Sequence, residues 1–175
     1  MTGVQTCALP IYTKLSGTTI SNELICYDIE SWTEVSRKAI PLTTISTDMT
    51  WNPADQKVYG AFYNTTKNGY VFGTLDLETG AVNKLSDITL QDDKGYPAGF
   101  VVIAANSIGE VYGISQMGDL YKFNTEDGSY SLIGATGYTP LYQQSGCFDF
   151  TTKQLYWAAC NENSSGIYQD RKSVV

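Results

Sequence analysis

Apolar and aromatic positions gather in short runs of four to eight residues, and Gly, Asn, Asp, Pro and Ser separate the runs. This is the pattern of many short strands joined by turns. The second strand of a unit announces itself by an apolar-Tyr pair: Ile11-Tyr12, Val58-Tyr59, Val111-Tyr112 and Leu155-Tyr156. The tyrosines recur at intervals of 47, 53 and 44 residues. A second landmark follows each of the first three pairs, in CYDIES, TLDLETG and KFNTEDG. Its polar anchors, Asp28, Asp76 and Asn124, are spaced 48 and 48. The uneven tyrosine intervals therefore resolve into loop-length differences within a repeat of about 48 residues, as expected for insertions in surface loops.

Each unit reads as four short strands. In the second unit they are Asp48–Asn52, Lys57–Tyr63, Gly69–Leu77 and Ala81–Ile88. Pro53-Ala54-Asp55-Gln56 and Glu78-Thr79-Gly80 supply turns. The third unit repeats this at Phe100–Ala105, Glu110–Ser115, Asp119–Asn124 and Ser129–Ile133, with Gln116-Met117-Gly118 as a tight hairpin. The Lys57–Tyr63 strand carries Val58, Gly60 and Phe62 on one face and Tyr59, Ala61 and Tyr63 on the other. A strand apolar on both faces fits a blade stacked between neighbours better than a sandwich sheet with one wet face. The expected fold class is all-β: an incomplete β-propeller of about three and a third four-stranded antiparallel blades. The blades fall at about 12–46, 47–94, 95–137 and 138–169.

The ends stand outside that repeat. Residues 1–11, MTGVQTCALPI, and 170–175, DRKSVV, resemble translated sequencing adaptors, and both segments are expected to be non-native. The repeat then opens in the second strand of one blade, at Tyr12, and stops in the third strand of a fourth, at Gly166-Ile167-Tyr168. Such an arc cannot close on itself. It leaves open sheet edges and apolar blade faces, and poor solubility in isolation is expected.

Composition narrows the function classes. The 175 residues carry 11 Lys+Arg against 18 Asp+Glu, a net charge of −7, which argues against nucleic acid. No apolar run reaches about eighteen residues, so no membrane-inserted helix is expected. Histidine is absent, which removes the commonest general base and metal ligand. Apart from Cys7 in the adaptor-like segment, the cysteines are Cys26, Cys147 and Cys160, an odd number with no CxxC pair. They read as small buried hydrophobes, with a Cys147–Cys160 bridge as the alternative. Asp92-Asp93 reads as a solvated acidic loop, and Asn124 to Gly128 as a turn rather than an EF-hand start. No metal site is expected.

The segments TWNPADQKVYG (50–60), TLDLETG (74–80), YKFNTEDG (121–128) and FDFTTKQLYW (148–157) resemble β-propellers of the YVTN or quinoprotein-dehydrogenase-like type. In that pattern a strand ends in D/N-x-x-T/S-G-x, where Asp or Asn accepts N–H bonds across the turn. The resemblance covers the whole stretch between the adaptor-like ends. WD40 and Kelch repeats lack support, since there is no Gly-His, Trp-Asp or Gly-Gly pair. Quinoproteins follow the turn with a docking tryptophan. Here Ala81-Val82-Asn83-Lys84 and Ser129-Tyr130-Ser131-Leu132 stand in its place, and no vicinal Cys pair exists. No cofactor is expected.

Aromatic side chains able to stack on a sugar include Trp51, Tyr96, Tyr138, Tyr142 and Trp157. Tyr96 and Tyr138 lie in blade-to-blade connections, where propellers build ligand faces, and Gln143 and Gln144 share the second connection. First strands line a propeller's channel, and among Asp48, Thr50, Gly99 and Ser145 to Cys147 the titratable carboxylate is Asp48. The candidate ligand-binding set is thus Tyr96, Tyr138, Tyr142, Gln143, Gln144 and Asp48, with no catalytic residue assigned. Gly-x-Ser-x-Gly is absent, and without histidine a Ser-His-Asp triad cannot be completed within the chain. The sequence therefore points to a binding or scaffolding module of a larger secreted or surface-attached bacterial protein. Its partners would be a protein or carbohydrate ligand and the parent protein's remaining blades. The alternative is a fragment of a propeller lyase, hydrolase or quinoprotein-like enzyme whose catalytic residues lie in other blades.

Overall fold

The computed structural model describes residues 14–18, 23–40 and 44–169. All of its regular structure is β, in fourteen strands and four antiparallel sheets. The first sheet holds β1 (Lys14–Thr18), β2 (Glu23–Asp28) and β3 (Thr33–Ala39). The second holds β4 (Thr44–Asn52), β5 (Lys57–Asn64), β6 (Gly69–Leu75) and β7 (Val82–Ile88). The third holds β8 (Phe100–Ala105), β9 (Val111–Ser115), β10 (Asp119–Phe123) and β11 (Tyr130–Ala135). The fourth holds β12 (Ser145–Asp149), β13 (Gln154–Cys160) and β14 (Ser165–Gln169). Within each sheet every strand pairs with its neighbour in sequence, so each sheet is a meander.

The registers make the repeat physical. Tyr59, Tyr112 and Tyr156 all sit on second strands, opposite Thr50, Ala104 and Cys147 of the first strands. Their hydroxyls donate to Asp55, Glu110 and Gln154, at 2.5, 2.8 and 3.3 Å. Burial and the Asp55 carboxylate push the Tyr59 phenol up to about 12. Tyr12 and both adaptor-like segments lie outside the described residues.

The third strands stop at Leu75 and Phe123, earlier than the sequence reading placed them. There the anchors Asp76 and Asn124 begin the turn. Asp76 Oδ1 accepts the N–H groups of Glu78 and Thr79, and Asn124 Oδ1 accepts that of Glu126. Gly80 and Gly128 close the two turns at φ of 73° and 74°, where a side chain is strained. Backbone N–H groups on the Asp76 carboxylate hold it below the usual range. β4 begins four residues earlier than expected, because a bulge between Ser46 and Asp48 carries its pairing past the irregularity. A matching bulge lies between Phe100 and Val102 of β8. Others fall between the third and fourth strands of the second and third sheets. Recurrent bulges raise strand twist, which a blade needs.

The sheets stack face to face. Leu24 of the first and Ile40, just past its last strand, meet Met49, Val58, Phe62 and Val71 of the second. Tyr59, Phe72 and Ile88 of the second meet Phe100, Ile103 and Phe123 of the third, with Phe72 and Phe123 stacked at 4.0 Å. Val102, Ala104 and Ile114 of the third meet Leu155, Trp157 and Ala159 of the fourth. Each fully buried side chain of this kind contributes roughly 1.5–3 kcal/mol, so stability resides between blades. First strands lie side by side, β4 on β8 and β8 on β12. No described strand of the first sheet packs along one of the fourth, so the four sheets form an open arc. Cys26, Cys147 and Cys160 are free; Cys147 is exposed and the others half-buried, so the expectation of small buried hydrophobes does not hold.

Candidate ligand cleft

Connections between blades and the hairpins joining second to third strands share one face of the arc. The β5–β6 hairpin sets Tyr63 opposite Tyr70, with ring centroids 5.1 Å apart and planes inclined by 56°. Tyr63 donates its hydroxyl to Asn68 Oδ1 at 2.5 Å. The Tyr70 ring lies against Gly99, where a Cβ would come within 2.5 Å of it. Gln116, in the β9–β10 turn, holds this corner from both ends of its amide. Its Oε1 accepts the Gly99 N–H at 3.1 Å, and its Nε2 donates to the Tyr70 hydroxyl at 3.3 Å.

The connection from β11 to β12 closes the other side. Thr136 donates its N–H and its hydroxyl to the Gly118 carbonyl, at 2.9 and 2.6 Å, tying the connection to the β9–β10 turn. Gln144 is buried, and its Nε2 donates to the carbonyls of Leu141 and Cys160. Leu141 N–H also donates to Cys160. Between these fixed points Tyr142 takes φ of 66° and stands 82% exposed. The result is a cleft of about 430 Å³ lined by Thr47, Tyr63, Tyr70, Phe100, Val101, Gln116 and residues 140–143. No lining side chain carries a charge.

Of the residues singled out from sequence, Tyr142 and Gln143 line this cleft. Tyr96 is 65% exposed on the β7–β8 connection, whose turn is held by Asp92 Oδ1 accepting the N–H groups of Lys94 and Tyr96. Tyr138 packs on Trp157 and Tyr168 at 5.2 and 4.8 Å, and donates its hydroxyl to the Ser164 carbonyl. Gln144 supports the connection from beneath. Asp48 is 2% exposed among the first strands. Its Oδ2 accepts the Ile103 N–H at 2.7 Å and its Oδ1 the Ser145 hydroxyl at 3.2 Å, on the next two blades. Beside it on β12, partial desolvation and then the charges of Asp48 and Asp149 push the Cys147 thiol up. That keeps it protonated at neutral pH, a poor nucleophile. Tyr63, Tyr70 and Gln116 were missed, because strand tyrosines read as core. The signal was their position at strand ends, flanking the loop 64–68 and within the 116–118 turn.

No family model matches the chain, and no curated protein matches it. Solved structures do. Along its whole length the chain is similar to the β-propeller domain of Myceliophteria thermophila Cps50 (Swd1), with 14% identity and a TM-score of 0.55. The fold is that of a β-propeller. A hydrazine synthase of Kuenenia stuttgartiensis is similar over 94% of the chain, at 16% identity and a TM-score of 0.59. So is the extracellular domain of a B. thetaiotaomicron protein assigned as a one-component system, over 94% at 10% identity and a TM-score of 0.56. The chain spans 54%, 57% and 20% of those three chains. Their names range from an enzyme to an extracellular domain, so the shared fold carries no activity with it.

Proposed function

We propose that this chain is the binding or scaffolding module of a larger secreted or surface-attached protein, with a propeller of the YVTN-like type. The observation that carries the reading is the cleft on the connection face. Exposed tyrosine and glutamine side chains are presented there by turns pinned to rigid blades, the arrangement a recognition surface needs. Asp48, the carboxylate buried among the inner strands, accepts hydrogen bonds from two other blades, which favours a binder over an enzyme worked from the channel. The likeness to an extracellular domain supports an exported setting.

The test is a ligand screen on the 175-residue chain by thermal melting, with neutral oligosaccharides, anionic oligosaccharides and short peptides as separate panels. A ligand present at a hundredfold excess over its Kd adds about 2.7 kcal/mol to stability, a readily measured rise in melting temperature. A reproducible rise with one panel supports the reading. No response from any panel overturns it.

A further inference from the structure

Resting on the binding-module reading, we infer that the cleft between Tyr70, Gln116 and Tyr142 is a subsite for one or two sugar rings of a neutral saccharide. A pyranose ring offers an apolar C–H face and a rim of hydroxyls. It asks for a flat aromatic surface beside short polar groups that both donate and accept. The cleft supplies both. Tyr63 and Tyr70 form an inclined pair in the lining, and Tyr142 lines the same cleft. Gln116 and Gln143 line it as well, each amide an acceptor and a two-hydrogen donor. Gln116 commits one acceptor and one donor to Gly99 and Tyr70, so the Tyr70 ring and the remaining amide hydrogen are fixed before any ligand arrives. A volume of about 430 Å³ lies within the range of small-ligand sites, about 300–1,000 Å³.

The chemistry also excludes competitors. An anionic saccharide would find no cation in the lining and a chain of net charge −7. A wholly apolar ligand would strip water from two amides and several phenols without replacing those hydrogen bonds, which a site built for polar groups penalises heavily.

The experiment measures binding of xylohexaose, cellohexaose, maltohexaose and chitohexaose to the 175-residue chain by saturation-transfer NMR and calorimetry. Polygalacturonate fragments and an unrelated peptide library serve as the other classes. Tyr142→Asn removes the ring while keeping a residue that tolerates positive φ. The inference expects at least one neutral hexasaccharide to bind, and Tyr142→Asn and Gln143→Ala each to weaken it at least about tenfold. Melting curves should be unchanged, and Trp32→Asn, an exposed aromatic at positive φ in the β2–β3 turn away from the cleft, should be silent. A saccharide that binds with no loss in the Tyr142 and Gln143 variants, or with equal loss in Trp32→Asn, overturns the subsite while the binding-module reading stands. Binding confined to the anionic or peptide class does the same. Silence from every probe overturns both.

Discussion

Asp48 would be an odd choice for a free channel-lining acid, because it is 2% exposed and spans three blades with one carboxylate. The geometry gives it a structural role. The Ile103 N–H faces β4 rather than a strand of its own sheet, and without an acceptor it would be a buried orphan. Thr50 serves the next such group, accepting the Ala105 N–H at 3.1 Å. Truncating Asp48 leaves the Ile103 donor and the Ser145 hydroxyl short of a partner. Asp48→Ala is expected to cost on the order of 1–3 kcal/mol, read as a lower urea midpoint, while Asp48→Asn, which keeps an acceptor oxygen, loses less. An unchanged midpoint in the alanine variant would show that the interblade bonds carry no stability. The sequence pointed to this residue for its charge and its strand. Its partners lie 55 and 97 residues away, and spacing within one repeat cannot reveal a bond between repeats.

At the scale of elements, the turn anchors offer a contrast already present in the chain: Asp76 in one blade, Asn124 in the next, each accepting N–H bonds on Oδ1 at the same point. Both close the turn, but the aspartate titrates. Its folded pKa is depressed by the N–H groups of Thr79 and Glu78. Its contribution is therefore complete above the unfolded carboxylate value and is lost as pH falls through the lower folded value. Asp76→Asn is expected to melt close to the parent at pH 7 and to lose less of its melting temperature between about pH 4 and pH 2. Asp127 and Asp149 are also held low, first by the Ser129 and Thr152 hydroxyls and then by backbone N–H groups, so the acid sensitivity shrinks without vanishing. Parallel melting-temperature profiles for the two proteins would refute this. These turns also explain why strands were legible in the sequence. Apolar-Tyr pairs, Asx anchors and glycines are local signals, and they locate each element to within a few residues. Bulges were not legible, because the extra residue in β4 or β8 has no local signature and follows from how the first strand must bend past its neighbour.

For the whole molecule, the 48-residue period led to stacked four-stranded sheets because strands apolar on both faces fit sheets packed between neighbours better than a sandwich sheet with one wet face. The cleft was half legible. Tyr142 and Gln143 stand in a connection, where function is expected, whereas Tyr63, Tyr70 and Gln116 come from two other sheets and converge only once the arc is built. The arc has a cost that the inner blades do not show. In the second and third sheets the third strand is covered by a fourth, β6 by β7 and β10 by β11. β14, the third strand of the last sheet, has no described neighbour on its far side, and all five of its residues are exposed, with Ile167 at 77%. An uncovered strand edge templates pairing with another chain, and a net charge of only −7 opposes that weakly. The 175-residue chain is therefore expected to sediment as dimers or larger species at tens of micromolar, about the range in which open edges associate. Ile167→Lys, which places a charge on that edge, should shift it toward the 19.2 kDa monomer. The lysine acts only if β14 is the contact: a parent chain that is already monomeric removes the argument, and an Ile167→Lys variant that associates as before moves the contact to another face.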